Sequence, residues 1–543
     1  MLVYVGAFFS YLHNKLFYIW LFFFSFLTVF ISPEKSLEYA IFSTFILYYL
    51  LYAVSDRLFT IVIVFISVTL SLYYPIFLYY GSLNSGIIAA FLETNLSEFF
   101  EFLSKFSFAD FLLPILFCLS AIILIRLKKY NVISRSYSEK KIIYILLFFG
   151  LLFSLVFEPT KYYLEESEED EHPWTLANSP INVVSFYANV YESVSGYYIE
   201  KEELESAFKK PNPWQVVSSQ PKYQNYVLII GESARRDYFS TYGFSLPTSP
   251  FLDSSLGYIN TGYISAAPAT HHSLLKSLYF RKSKQTDYSY HIINLAKKAD
   301  IQTYWLSNQG CIGKYDSSAS RIGASSDFNF FTKKGAFNTG NIDDFTLLDE
   351  FKARLSESKI ANKKARLFVF HLMGSHQKFC SRLKKDEHLL EFINKDMSCY
   401  VNSILKTDKL IESIVSLLKE KDEAYSLIYF SDHGLSHVNK DNLDKLSLDY
   451  SEKHQSNYTV PFFKLSSDDT RREVVNIKRS AMNFIYGFSQ WLGIETKELS
   501  SDYDFFSQKN DENIKVFDFH KNVDFDSLEV DSIPVFEKGL IKQ

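Results

Sequence analysis

At 543 residues the chain is too long for one ordinary domain and long enough to bury a sizeable core. Its formal net charge of −5 leaves no basic footprint of the kind nucleic-acid binding requires. Aromatic residues make up 17% of the chain, with 52 Phe and 38 Tyr, and they crowd into the first third, which separates a membrane-like part from a polar part.

A helix that spans a bilayer needs about 20 mostly apolar residues. Five stretches are expected to do so: 15–32, 37–54, 58–80, 108–127 and 142–158. The second is short and flanked by Glu38 and Asp56. The first is not a cleaved signal peptide, because further apolar spans follow and no small-residue cleavage site is evident. Between the fourth and fifth lie Arg126, Lys128, Lys129, Arg135, Lys140 and Lys141, and such basic loops stay cytoplasmic. Counting from that loop puts Arg57 and the N-terminus inside and everything after about residue 158 outside. The acidic run at 165–171 agrees weakly with that side.

The stretch 87–103, "IIAAFLETNLSEFFEFL", is amphipathic and suits a helix lying on the bilayer surface. Glu93, Thr94 and Asn95 within it are also placed to hold a lipid headgroup. Three domains are therefore expected: a transmembrane domain over 1–158, a linker with some helix over 159–221, and a catalytic domain over 222–543.

In the polar part, short apolar runs at 226–230, 303–307, 366–370 and 426–430 alternate with helix-like segments. That pattern predicts an α/β domain with a largely parallel sheet. "YTVPFFKL" at 458–465 predicts a further strand, with Pro461 suggesting an edge or a bend. Among the cysteines, Cys118 sits in an apolar run, while Cys311, Cys380 and Cys399 lie in the polar part without a CxxC pair. Cys380 and Cys399 can close a modest loop in an oxidising compartment. Free buried thiols are the competing expectation.

In open α/β sheets, ligands bind beyond the carboxyl ends of the strands. "YVLII" runs into "GES", placing Glu232 at such an end, and "SLIYF" runs into "SDHG", placing Asp432 and His433 at another. Gly434 permits unusual dihedrals there, so the side chains can converge. Two carboxylates and an imidazole are suitable ligands for zinc or a similar divalent ion. Two alternatives stay open. Asp-His before Gly is also a common turn with a capping Asp. "GESAR" also admits a nucleophile elbow with Ser233, Asp432 and His433 in hydrolase order, although the second Gly is lacking and adjacent Asp and His orient one another poorly.

The segments "NYVLIIGESARRDYFSTYGFSLPTSPFLD", "TYWLSNQG", "HLMGSH", "CYVNSILKTDKLI", "LIYFSDHG" and "YTVPFF" occur in the order found in bacterial phosphoethanolamine transferases, which the chain resembles over nearly its whole length. These are inner-membrane enzymes of the alkaline phosphatase/sulfatase superfamily. The resemblance implies about five transmembrane helices, an α/β sulfatase-like periplasmic domain, and one or two Zn2+ ions. It implies metal ligands at Glu232, Thr270, Asp432 and His433, with Thr270 as the nucleophile ahead of "SLLKSLYF". Ser265 and Ser273 are the other hydroxyls of that loop. His376 and His454 match substrate-phosphate histidines, with His437 competing for the second role.

The resemblance has departures. Leu246 stands where relatives carry Arg, and the Cys pair that brackets the nucleophile in lipid A-modifying members is missing, as in the branch acting on core sugars. His271 and His272 are expected to touch phosphate or, more simply, to face solvent. The implied reaction moves phosphoethanolamine from phosphatidylethanolamine to a lipopolysaccharide acceptor, lipid A or core sugar, through a metal-activated threonine and a covalent phospho-enzyme. A phosphoglycerol transferase or a sulfatase-type hydrolase is the alternative within the superfamily, though no Cys lies at 261–275. A receptor or transporter with a dead external domain is the alternative outside it, and the intact Glu232, Thr270, Asp432 and His433 set argues against that.

Overall fold

The computed structural model describes residues 2–31, 37–80, 88, 92, 106–130, 142–153, 155, 175–179, 181–281, 286–310, 318–333, 342–357, 362–387, 389–499, 502–519 and 521–533. Expectations resting on Glu93, Thr94, Asn95, Cys311 and the acidic run at 165–171 lie outside them. The chain divides into two compact units, Met1–Ile88 with Glu98–Tyr198, and Ala89–Ser97 with Ile199–Gln543.

The first unit is helical. It contains α1 (Leu2–Ile31), α2 (Leu37–Val54), α3 (Asp56–Tyr80), α4 (Leu112–Tyr130), α5 (Ile142–Phe153) and the start of α6 (Asn182–Phe208). Its interior is built from Phe17, Leu21, Phe24, Ile63, Leu70 and Phe117, with Phe24 stacked on Phe117 at 4.8 Å. The outer faces are apolar too, at Ile19, Phe42, Ile61, Leu72 and Leu146. A helix apolar all round suits a lipid environment, where no polar face is needed. Inside the bundle, hydroxyls fold back onto their own helices: Ser25 donates to Leu21 O, Thr28 to Phe24 O and Ser67 to Ile63 O. Among the described residues, Asp56–Leu78 and Phe108–Lys128 are long and apolar enough to cross a membrane. Shorter apolar helical segments occupy Lys15–Ile31, Tyr39–Val54 and Ile142–Phe153.

The second unit is an α/β domain around an eight-stranded sheet. Its strands are β1 (Asn225–Gly231), β2 (Gly257–Asn260), β3 (Ile301–Gly310), β4 (Phe328–Lys333), β5 (Ala365–His371), β6 (Tyr425–Ser431), β7 (Phe462–Ser466) and β8 (Arg472–Val475). They lie in the order β8-β2-β7-β6-β1-β5-β3-β4. All neighbours are parallel except β7, which runs antiparallel to both β2 and β6. "YTVPFFKL" is therefore an interior strand, not an edge. Pro461 stands just before its first paired residue, where a missing N–H costs no ladder bond.

Alternation along the strands feeds two cores. Leu228 and Ile230 of β1, Leu367 and Val369 of β5, and Ile428 and Phe430 of β6 enter one apolar cluster. Val227 and Ile229, Phe368 and Phe370, and Leu427 and Tyr429 enter the other. Strands covered on both faces read as continuous apolar runs, which is why these three are so uniform. The helix α7 (Thr270–Ser277) lies over the first face, and α8 (Lys395–Glu420), through Ile404 and Ile411, over the second.

Candidate active site

β1 and β6 are parallel neighbours, and the last residue of one, Gly231, is the register partner of the last residue of the other, Ser431. The chain then leaves the sheet twice at the same level, carrying Glu232 and Asp432 out side by side. The backbone stays tied there, because Asp432 N donates to Gly231 O at 3.1 Å. Beyond the edge, Ser233 takes the left-handed conformation, φ +56°, which a non-glycine residue adopts at a cost. Ser233 N then donates to Asp432 Oδ1 at 3.1 Å and its hydroxyl to Glu232 Oε1 at 2.7 Å. Tyr400 of α8 braces the turn: its hydroxyl donates to Ser233 O at 3.0 Å and accepts from Arg235 N at 2.9 Å.

The unusual dihedral expected at Gly434 belongs to Ser233 instead. Gly434 is required for a different reason, since a Cβ there would stand 2.2 Å from the Ser456 carbonyl oxygen.

Glu232, Asp432 and His433 are all buried, and one ligand atom from each falls within 4.8 Å of the others. His433 Nε2 lies 3.3 Å from Glu232 Oε1 and 3.5 Å from Asp432 Oδ2. Its Nδ1 lies 2.7 Å from Gly434 O, a partner that can only accept, so Nδ1 carries a proton and donates. With Nδ1 holding that proton, Nε2 is the ring nitrogen turned into the cluster, and it offers a lone pair there once its own proton is displaced. Thr270, the first residue of α7, completes the group: its Oγ1 donates to Glu232 Oε2 at 3.1 Å and lies 3.3 Å from His433 Nε2.

The electrostatics of the three titratable groups are opposed. Burial raises the Asp432 carboxyl to about 7, with the nearby Glu232 charge adding to it. Burial alone would raise Glu232 as well, but the His433 hydrogen bond and charge, with help from His376 and Ser233, hold it below the ordinary carboxylate range. Burial would lower His433, and the Asp432 and Glu232 carboxylates outweigh it, raising it to about 9. Asp432 Oδ2 is buried and makes no hydrogen bond. A buried carboxylate oxygen without a donor is costly unless a cation takes it. Two carboxylates and an imidazole around such an oxygen fit a divalent ion.

The expected residues are distributed as follows. Glu232, Thr270, Asp432 and His433 come together. His376 lies on the turn after β5, where Ser375 N donates to Glu232 O at 3.0 Å, and its charge is felt by Glu232. His454 has partners outside the four, with Nδ1 2.9 Å from Ser451 Oγ and Nε2 3.6 Å from Glu529 Oε2. His437 is committed elsewhere, to Asp531 and Tyr238. Ser265 bonds to Ala267 O, and Ser273 donates to Asp432 O at 2.5 Å. Ser233 donates to Glu232 and not to His433, so the hydrolase arrangement is not formed. His272 is buried against Phe517 and Phe519, contrary to the expected solvent exposure, because the C-terminal segment covers α7. Leu246 packs on the second core. Cys380 and Cys399 are joined in a disulfide.

Sequence reasoning passed over Gln309 and Asp344. Gln309 Nε2 donates to Glu232 Oε2 at 2.8 Å and to Leu372 O at 2.9 Å. Its position near the carboxyl end of β3 was the available signal. Asp344 accepts from Met373 N and Gly374 N, both at 2.9 Å, and so holds the turn that carries His376. Nothing in the local sequence marks that role.

Residues 224–494 match the Sulfatase family. Phosphoethanolamine transferase OpgE of Escherichia coli strain K12 is 32% identical over 472 residues, 86% of this chain and 86% of that protein. A putative phosphoethanolamine transferase of Haemophilus influenzae is 37% identical over 252 residues, 44% of this chain and 51% of that protein. Among solved structures, the lipooligosaccharide phosphoethanolamine transferase A of Neisseria meningitidis, an integral membrane protein, shares the fold with a TM-score of 0.56 at 16% identity, over 92% of this chain and 97% of that one. Likeness to OpgE along 86% of both chains shows that this chain belongs to the phosphoethanolamine transferase family: it is an enzyme with a sulfatase-type domain that transfers phosphoethanolamine.

Proposed function

We propose that the enzyme takes phosphoethanolamine from phosphatidylethanolamine onto Thr270 and passes it to a hydroxyl or phosphate of a lipopolysaccharide, on lipid A or a core sugar. The observation that carries this is the placement of Thr270 Oγ1, 3.1 Å from Glu232 Oε2 and 3.3 Å from His433 Nε2, at the first position of an eight-residue helix.

In the first half-reaction Thr270 Oγ1 forms a bond to phosphorus while the bond from phosphorus to the diacylglycerol oxygen breaks. The hydroxyl proton, oriented by the hydrogen bond to Glu232 Oε2, is lost from Thr270, and a proton reaches the departing diacylglycerol oxygen, so the half-reaction balances. In the second, the acceptor oxygen bonds to phosphorus, the bond to Thr270 Oγ1 breaks, and the acceptor's proton returns to that oxygen. The N–H groups of the first turn of α7 lack intrahelical acceptors and are available to hydrogen-bond phosphoryl oxygens. His376 and His454 are assigned to the substrate phosphate, where a protonated imidazole stabilises charge or serves the leaving oxygen.

Glu232, Asp432 and His433, with Thr270 as the fourth group, are assigned to Zn2+. A divalent ion there supplies Lewis-acid polarisation and favours ionisation of the threonine hydroxyl. Gln309, Ser233 and Gly434 O fix the orientation of the ligands.

The five-span topology, the division at 158 and 221, and a periplasmic catalytic domain on the bacterial inner membrane belong to the same proposal. Apolar outer faces on α1 to α5 support it, and so does the substrate chemistry, since both lipids reside in bilayers. Intact-mass analysis of the enzyme given phosphatidylethanolamine without acceptor tests it. A phosphoethanolamine adduct on the peptide containing Thr270 is expected, and an adduct on Ser233 removes the central claim.

A further inference from the structure

The last described segment of the chain carries a carboxylate deep into the loops around the site. Asp531 is 296 residues from Arg235 in the chain, yet its Oδ2 accepts from Arg235 Nη1 at 2.7 Å. The same oxygen accepts from His437 N at 2.9 Å and from Ser456 Oγ at 3.1 Å. It also lies 3.0 Å from His437 Nδ1. The Asp531 carbonyl takes a further bond from Arg235 Nη2 at 2.9 Å, and Lys440 pairs with Oδ1. Both Asp531 and Arg235 are buried, so these bonds are shielded from water.

Each partner belongs to a loop that serves the site. Arg235 follows Glu232 by three residues, and its Nη1 also donates to Leu435 O at 3.2 Å, within the turn after His433. His437 closes that turn. Its Nε2 lies 2.8 Å from Tyr238 Oη, and its Nδ1 lies 3.1 Å from Arg235 Nη1 and 3.0 Å from Asp531 Oδ2, so the ring is held on both edges. Ser456 belongs to the turn that carries His454, and Glu529 of the C-terminal segment bridges to His454 itself. The backbone bond from Gly434 N to Asn457 O at 2.7 Å links the second loop to the third.

We propose that Asp531 is a positioning residue of the transfer reaction: one carboxylate from the C-terminal segment ties the Glu232, His433 and His454 loops into a single geometry. The proposal rests on the assignment of Glu232, Asp432 and His433 as metal ligands. Loss of Asp531 leaves Arg235 held by Asp237 and Leu435 O but severs its tie to His437 N and Ser456, so the loops bearing the ligand set loosen relative to one another while the sheet beneath stays intact. Residues that orient ligands from outside typically change metal affinity by about 10- to 100-fold when removed.

The test uses the full-length enzyme in detergent, stripped with chelator and titrated with cobalt(II). Wild type, Asp531→Asn, Asp531→Ala and Asp526→Asn are compared; Asp526 lies on the same segment but pairs with exposed Lys478. Asp531→Asn keeps the shape and covers the case in which Asp531→Ala does not fold. The expected result is cobalt affinity about tenfold weaker in the Asp531 variants. At saturation the variants' d–d absorption band should also be altered, with Asp526→Asn unchanged. Asp531 variants that melt earlier but bind cobalt with wild-type affinity and spectrum overturn the positioning role alone. A wild type that takes up no cobalt overturns the metal assignment, and the proposal falls with it.

Discussion

Thr270 Oγ1 donates to Glu232 Oε2 across 3.1 Å, although 38 residues separate the two in the chain. That contact sets the first prediction. Thr270→Ala should lower transfer by at least about 10³-fold, as expected when a nucleophile is removed. Thr270→Ser should retain part of the activity, because the hydroxyl remains. Ser233→Ala should be mild, since its hydroxyl supports Glu232 without facing His433. Transfer assays on the three variants check this, and full activity in Thr270→Ala would refute it.

Metal removal should silence the enzyme, and zinc should restore it. Glu232→Gln and Asp432→Asn should each reduce bound zinc, because each withdraws an anionic ligand from a buried site. Gln309→Ala should weaken binding by about tenfold, through loss of the bond that holds Glu232 Oε2. Elemental analysis after dialysis against graded zinc buffers reads all three; equal zinc content in every variant would show that the ligands lie elsewhere.

The Cys380–Cys399 disulfide closes a span of 19 residues. Loop-entropy reasoning values such a closure at roughly 3 kcal/mol. Cys380→Ser should lower the Tm of the catalytic unit, and non-reducing peptide mapping of the wild type should recover the joined peptides. Recovery of both cysteines as thiols from protein made in an oxidising compartment would contradict this.

Asp408 on α8 accepts from Phe251 N at 2.8 Å and Leu252 N at 3.1 Å. Burial outweighs those bonds and raises its carboxyl from 3.8 to about 7. An acid with a raised folded pKa binds its proton more tightly when folded. Its contribution to stability is therefore complete below about pH 4 and fades as pH rises through about 7. Relative to wild type, Asp408→Asn should flatten the fall in stability across that window by up to a few kcal/mol. Unfolding followed from pH 4 to 8 measures it, and parallel curves would exclude Asp408 as the source.

Reporters fused after Arg135 and after Gln220 should read cytoplasmic and periplasmic respectively. Both on one side would break the five-span count.

Much of the catalytic fold is legible because its strands are buried on both faces. "YVLII" and "SLIYF" announce themselves as continuous apolar runs, and the polar residues just past them fall where such sheets bind ligands. Their adjacency is not legible, since register between residues 200 apart is set by packing of whole elements, not by local pattern. For the same reason the interior place of "YTVPFFKL" is not legible: Pro461 leaves an edge or a bend open locally, while the strand begins one residue later. Asp531 left no trace in the sequence either, because "EVDSIPV" has the composition of any surface tail. Thr270 is singled out only by resemblance to a family, as one of several hydroxyls in its loop, and its closeness to Glu232 emerges only in the fold.

The pairing of β1 with β6 also has a temporal meaning. Synthesis delivers Glu232 and Thr270 long before Asp432 and His433, so under the proposed assignment a growing chain holds half of the four site residues with no partner strand to assemble them. Pairing across 200 residues carries a loop-closure cost that slows such contacts. On that assignment the site cannot assemble until β6 has been made, and a chain interrupted before it carries no complete site.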